Sequence, residues 1–204
     1  MPRINSVKAA RKPAKCNRCG KEIPVGSGYI YWEFRYGGMV KRCLACPRPR
    51  NSELTQSDKL SALWSAAESI EDADMAFQGQ PVKYFEDFNT SDLAQAVHAA
   101  ADQVREVGEE YRNSADNMTI EGGPKETLEE KADSCDSWAD ELESAADEIE
   151  AVEVEEINIS DAAAMDWEEY AEAIDAAIDS SLYDAIQEAA SKAEEVAGQT
   201  PDFM

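Results

Sequence analysis

Cys16-Asn17-Arg18-Cys19 and Cys43-Leu44-Ala45-Cys46 decide how the first fifty residues read. Each pair holds two residues between its thiols, and 23 residues separate the pairs. A two-residue gap lets both thiolates turn back onto one ion, and two such pairs complete a tetrahedral sulfur shell. Gly20 follows Cys19, and without a Cβ its backbone is free to turn an amide toward sulfur. Between the pairs, residues 29–36 are aromatic and extended, Gly37-Gly38 reads as a hairpin turn, and residues 39–42 return. That hairpin carries the second pair back beside the first. The expected cofactor is a structural Zn2+ held by Cys16, Cys19, Cys43 and Cys46. Four sulfur ligands leave no open position for catalysis, so the metal's job is to hold a head too small to build its own core.

Two other chemistries fit four cysteines: a pair of disulfides, or a redox dithiol. Met1-Pro2-Arg3 lacks the apolar stretch of a secretory signal, so a reducing compartment is expected, where disulfides are rare. A redox dithiol has no use for the second pair. With zinc, four thiolates form a doubly negative centre, and Lys15, Arg18, Lys41 and Arg42 lie next to the cysteines in sequence to offset it.

Charge divides the rest of the chain. Of 19 Lys+Arg and 43 Asp+Glu among 204 residues, residues 1–50 carry 12 basic and 2 acidic side chains, and residues 51–204 carry 7 and 41. An asymmetry of this size points to nucleic acid at one end or an interaction tail at the other. The composition changes at Pro47-Arg48-Pro49, where two prolines block helix. The sequence therefore predicts a basic zinc-ribbon-like head over residues 1–46, a linker over 47–52, and an acidic four-helix body over 53–204.

The head offers a nucleic-acid surface. Lys8, Arg11, Lys12 and Lys15 form a basic arm, with Lys41 and Arg42 on the returning strand. Strand alternation places Ile30, Trp32, Phe34 and Tyr36 on one face and Tyr29, Tyr31, Glu33 and Arg35 on the other. One face must cover the head's core. The other is free to present Tyr29, Tyr31 and Arg35 for stacking on bases. The competing reading buries both faces, one under the head and one under the body. The arm also has a rival destination in the chain's own acidic helices.

The body reads as four helices. The first spans about residues 52–77, with Leu60, Leu63, Trp64, Ala67, Ile70 and Phe77 on one side. The second starts at Thr90 or Ser91, either a good N-cap; its stripe is Leu93, Val97, Ala100, Val104, Val107, Tyr111, Ser114 and Met118. The third starts near Pro124, with Leu128, Lys131, Cys135, Trp138, Leu142, Ala145, Ile149 and Val152. Both stripes alternate steps of three and four, and the break between them is short, so an elongated antiparallel coiled-coil hairpin is expected over about residues 91–152. The fourth helix starts with Ser160 as N-cap and runs to about Val196, its apolar side marked by Trp167, Tyr170, Ile174, Ile178, Leu182 and Ile186. A weakly alternating stretch, residues 152–159, reads as an extended connector. Alanine supplies 32 of the apolar residues, which predicts a thin core of closely approaching helices.

Nothing in the body carries an enzyme motif. Cys135 sits on the third helix's apolar seam, where cysteine acts as a small core residue. His98, the one histidine, reads as a surface or edge residue. Carboxylate pairs are uninformative among so many acids, and no phosphate loop, nucleophile elbow or histidine-bearing metal motif occurs. No run of apolar residues is long enough to span a membrane. The acidic helices have two readings: a negative-charge array resembling a nucleic-acid backbone, or a surface that keeps an alanine-rich chain in solution.

Residues 1–65 resemble small bacteriophage-encoded proteins of uncharacterised function. The resemblance lies in Met1-Pro2-Arg3-Ile4, Lys8-Ala9-Ala10-Arg11-Lys12, the aromatic run into Phe34-Arg35-Tyr36-Gly37-Gly38, and Pro47-Arg48-Pro49 followed by Ser52-Glu53-Leu54-Thr55-Gln56-Ser57. It implies a phage-infected bacterial cytoplasm and brings no activity with it. The expectation is a non-enzymatic phage accessory adaptor: the head contacts nucleic acid or a nucleoprotein, and the helices bind a host or phage protein or self-associate. The alternatives are an inhibitor of a host defence or nucleic-acid enzyme, acting by acidic mimicry or steric blockade, and a virion-associated structural protein.

Overall fold

A three-stranded antiparallel sheet of order β1-β4-β5 organises the N-terminal part: β1 is Asn5–Val7, β4 Tyr29–Phe34 and β5 Gly38–Cys43. The computed structural model describes residues 2–80, 88–119, 122–154 and 167–201. Aromatic and β-branched residues give β4 the central place. It pairs with β1 from Asn5↔Tyr31 to Val7↔Tyr29 and with β5 from Tyr29↔Cys43 to Phe34↔Gly38. The turn occupies residues 35–37, one residue earlier than the Gly37-Gly38 reading, and Gly38 opens β5 at φ +83°. Tyr36 falls in this turn and is 83% exposed, which removes it from the buried face that alternation assigned to it. A second ribbon, β2 (Ala14–Lys15) with β3 (Glu22–Ile23), carries the first cysteine pair in its loop. The basic arm is thus partly structured: residues 5–7 are a sheet edge and residues 14–15 a ribbon strand.

Residues 47–52, read from sequence as a linker, lead into a 3-10 turn, Asn51–Leu54, that is tied to β5. Thr55 is extended at φ −120°, ψ 155°, so the first α-helix begins at residue 58 rather than near 52. That helix, α1, runs Asp58–Gln78. Ser57 caps it, its Oγ accepting from Leu60 N–H at 3.4 Å. The chain divides into two compact units, residues 1–65 and 66–204, with the division inside α1.

In the second unit, α2 (Ser91–Asp116) and α3 (Gly123–Glu150) are joined by a short connection and pack antiparallel. Asn89, rather than Thr90 or Ser91, supplies the side chain at the start of α2: its Oδ1 accepts from Ser91 N–H at 2.8 Å. Pro124 lies in the first turn of α3, as expected. The predicted stripes are buried along most of their length, from Leu93 to Tyr111 and from Cys135 to Ile149. The α2 stripe fails at its end, where Met118 is 39% exposed and Ala115 is buried instead; the α3 stripe weakens at its start, where Leu128 and Lys131 are half-buried, and holds through Val152.

A second column of small residues accompanies each stripe: Ala94, Ala101, Gly108 and Ala115 on α2, and Ala132, Ala139 and Ala146 on α3. Their seven-residue spacing keeps them on the facing sides and lets the backbones approach. A Cβ at Gly108 would stand 3.2 Å from Cys135 Cβ and 3.1 Å from Asp136 Oδ1, a tight contact that the α3 side chains would have to relieve by a few tenths of an ångström. Among the described residues, α4 spans Trp167–Ala197 and buries Leu182, Ala185, Ala189, Ala190, Ala193 and Val196. Trp138 Nε1–H donates to Val196 O at 2.9 Å within the core. Ser160 and residues 155–159 of the expected connector lie outside the described residues, as do the side chains of Trp167 and Tyr170. The described residues are mainly helical, with a small three-stranded sheet and a two-stranded ribbon, and no helix among them is long and apolar enough to cross a membrane.

Candidate metal centre

Two backbone turns present the four thiols. The first sits at the end of the β2–β3 ribbon: Cys16 N–H donates to Lys21 O at 2.9 Å and Gly20 N–H to Cys16 O at 3.0 Å, with Gly20 at φ +71°. The glycine therefore serves the turn through Cys16's carbonyl. The donors to Cys16 Sγ are the backbone amides of Cys19, Arg18 and Cys43, the last at 3.4 Å. The second turn follows β5, where Cys46 N–H donates to Cys43 O at 3.1 Å. Asn17 stitches the two together: its N–H donates to Lys41 O and its Oδ1 accepts from Lys41 N–H, both at 2.8 Å.

The sulfurs lie 3.9 Å apart for Cys16–Cys46, 3.8 Å for Cys19–Cys43 and 3.5 Å for Cys43–Cys46, and all four fall within 4.8 Å of one another. A tetrahedral ion with metal–sulfur bonds of about 2.3 Å sets sulfurs about 3.8 Å apart. The three short distances lie close to that spacing, and all four are free thiols, which sets aside the disulfide reading. Cys16 is buried, Cys43 and Cys46 are half-buried and Cys19 is exposed. Beneath them lies a small core of Ala10, Cys16 and Ile23, flanked by Ala14, Tyr29, Cys43 and Cys46.

The thiols differ in acidity. Burial opposes ionisation of Cys16, but its three backbone N–H donors outweigh burial and bring it down to about 6. Cys46 is pushed up to about 12, first by its hydrogen bond with Cys43, then by burial and by the neighbouring sulfurs. A dication among the sulfurs favours the thiolate at every one of them.

Arg42, expected on nucleic acid, is instead 3% exposed. Its guanidinium lies 5.3 Å from the Trp32 ring centroid, donates to Pro47 O at 3.1 Å, and meets both carboxylate oxygens of Glu53. Arg18, between the first two cysteines, lies 3.6 Å from the same carboxylate, and Arg50 N–H donates to it at 3.0 Å. Glu53 thus fastens the 3-10 turn to β5 and to the first cysteine turn. Two of the four cations read as offsetting the thiolates are engaged on it. No motif in the sequence gives Glu53 this role, because its guanidinium partners, Arg42 and Arg18, lie 11 and 35 residues before it in the chain.

The Glu53 contact makes a measurable contribution to stability. Burial works against the Glu53 carboxylate, but the Arg42 hydrogen bonds, the Arg50 amide and the two guanidinium charges outweigh it and lower its pKa. A lowered folded-state value means that the contact's stability is present above the ordinary glutamate value and is lost as pH falls through the folded one. Glu53→Ala leaves Arg42 buried without its carboxylate. The expected loss of head stability is about 2–3 kcal/mol, below that of a fully buried pair because water reaches Glu53. Thermal unfolding followed by near-UV circular dichroism measures it, and Glu53→Gln is expected to lose that part of the acid dependence.

The remaining candidates fall into two groups. Tyr29, Tyr31 and Lys41 share one face of the sheet, half-buried, with the tyrosine rings 6.2 Å apart and tilted by 47°. Lys8, Arg11 and Lys12, between β1 and β2, are exposed, as are Lys15 on β2 and Arg35 in the hairpin turn. Arg35 lies 5.3 Å from the centroid of the Tyr36 ring, an exposed aromatic that alternation had placed inside. No protein-family model, curated protein or solved structure matches this chain.

Proposed function

We propose that this chain is a non-enzymatic adaptor whose head is a zinc ribbon and whose sheet face and β1–β2 connection bind nucleic acid. The observation that carries the reading is the four-thiol cluster with zinc-like spacing, in a head that also carries exposed basic side chains, an exposed Tyr36 and half-buried Tyr29 and Tyr31. Zinc bound there would be closed by four sulfurs, so its contribution is to hold the head together. Tyr29, Tyr31 and Tyr36 supply stacking surfaces, and Lys8, Arg11, Lys12, Lys15, Arg35 and Lys41 supply phosphate contacts. Arg42 drops out of this set, because Glu53 and Pro47 occupy it. The α2–α3 pair is read as a coiled-coil hairpin on the strength of its seven-residue columns, and its exposed acids as the surface for a protein partner or for self-association. The phage resemblance supports a setting in the cytoplasm of an infected bacterium.

Anisotropy of a labelled single-stranded oligonucleotide with the full-length protein across salt concentrations tests the reading. Affinity is expected to fall with salt, with a logarithmic slope of about −0.7 per phosphate contacted. Lys12→Ala and Arg35→Ala should each weaken binding and flatten that slope. Tyr31→Ala should cost about 1–3 kcal/mol of binding. Absence of nucleic-acid binding at physiological salt would overturn the adaptor reading.

A further inference from the structure

Basic side chains of α2 meet acidic side chains of α3 at seven-residue intervals. Arg112 pairs with Asp136, and Arg105 with Asp140 at 3.1 Å and Glu143 at 2.5 Å. One heptad earlier stands His98, its Nε2 3.7 Å from Asp147 Oδ1. Two rungs of this ladder hold an arginine against carboxylates. The third offers an imidazole, whose nitrogen is a lone-pair donor when neutral. It faces two carboxylates, because Asp147 and Glu150, three residues apart on α3, lie on the same side. One ligand atom from each of His98, Asp147 and Glu150 lies within 4.8 Å of the other two. His98 is half-buried and both carboxylates are exposed, so an ion has an open approach.

We propose that His98, Asp147 and Glu150 form a second metal site, for a divalent transition-metal ion such as Zn2+, that ties the beginning of α2 to the end of α3. One imidazole with two carboxylates suits such ions and differs in kind from the four-thiol set of the head. Three protein ligands leave a position for water. The dication neutralises the two carboxylates that the imidazole alone leaves negative, in a chain whose formal charge is −24. The two arginine rungs, already holding α2 in register with α3, bring the three ligands together before the ion arrives.

The chain contains one histidine, so its imidazole resonances report on this site alone. Full-length protein already carrying one zinc equivalent is titrated with further Zn2+ and followed by imidazole NMR. The ring signals are expected to move and to saturate at one further equivalent. Asp147→Asn and Glu150→Gln should each weaken that binding about tenfold or more with the helical circular dichroism unchanged. Ring signals that stay in place through several equivalents overturn the proposal. So do signals that move with the same affinity in the Asp147→Asn/Glu150→Gln double variant, the behaviour of a lone surface imidazole. If the double variant loses helicity, Glu150→Gln alone, at the exposed end of α3, carries the comparison. Zinc at the four thiols does not move these signals, so this result stands apart from the test of the head.

Discussion

Cys43→Ser is expected to unfold the head while the helical far-UV signal of residues 66–204 persists. Cys43 touches all three other ligands: its Sγ lies 3.8 Å from Cys19 and 3.5 Å from Cys46, and its amide donates to Cys16. Structural zinc contributes about 10–16 kcal/mol to small zinc domains at neutral pH. The head has little to replace it, since its core at the sulfurs is Ala10, Cys16 and Ile23, and a unit of 65 residues buries too little surface for a wide margin. Amide NMR of the full-length variant should show the strand signals of β4 and β5 collapsing toward random-coil positions. Chelation of the unsubstituted protein should do the same. Head signals unchanged in the variant would mean that the sulfurs are ordinary core thiols.

Trp138→Ala should destabilise the body by about 3–5 kcal/mol, the cost of emptying a buried aromatic site. Trp138 is 2% exposed and hydrogen-bonds Val196 O, joining α3 to the last turns of α4. Alanine is the commonest buried residue of this unit, and its side chain is too short to fill the space. Net stabilities of domains lie near 5–15 kcal/mol, so one substitution consumes a large share. Urea unfolding followed at the helical band should show the lower midpoint. Trp138→Phe keeps most of the packing and removes the N–H donor, so it should cost about 1–2 kcal/mol. The gap between the two variants separates packing from the hydrogen bond.

The features legible in the sequence were those set by spacing over a few residues. The two cysteine pairs, the hairpin between them, and the stripes of α2 and α3 follow from periods of two, three and four. The companion column Ala94-Ala101-Gly108-Ala115 was foreshadowed only by alanine content, because alanine is as common on surfaces as in cores. Features set by distant partners were not legible. Arg42 reads as a surface cation until Glu53, 11 residues on, returns to meet it. His98 reads as an edge residue until α3 places Asp147 and Glu150 opposite. A glycine directly after Cys19 predicts an amide turned to sulfur, but the ribbon directs the Gly20 amide to Cys16 O. Tyr36 was assigned by alternation to the buried face, and the early turn at residues 35–37 puts it in water.

The proposed zinc at the four thiols is what would hold the head together. Full-length protein purified under reducing conditions and passed over a chelating resin to strip weakly held ions should retain about one zinc per chain. Its four head thiols should resist alkylation until a strong chelator is added, then react together. Metal-free protein whose head thiols alkylate freely at the outset, with the β4–β5 hairpin still folded, would contradict it.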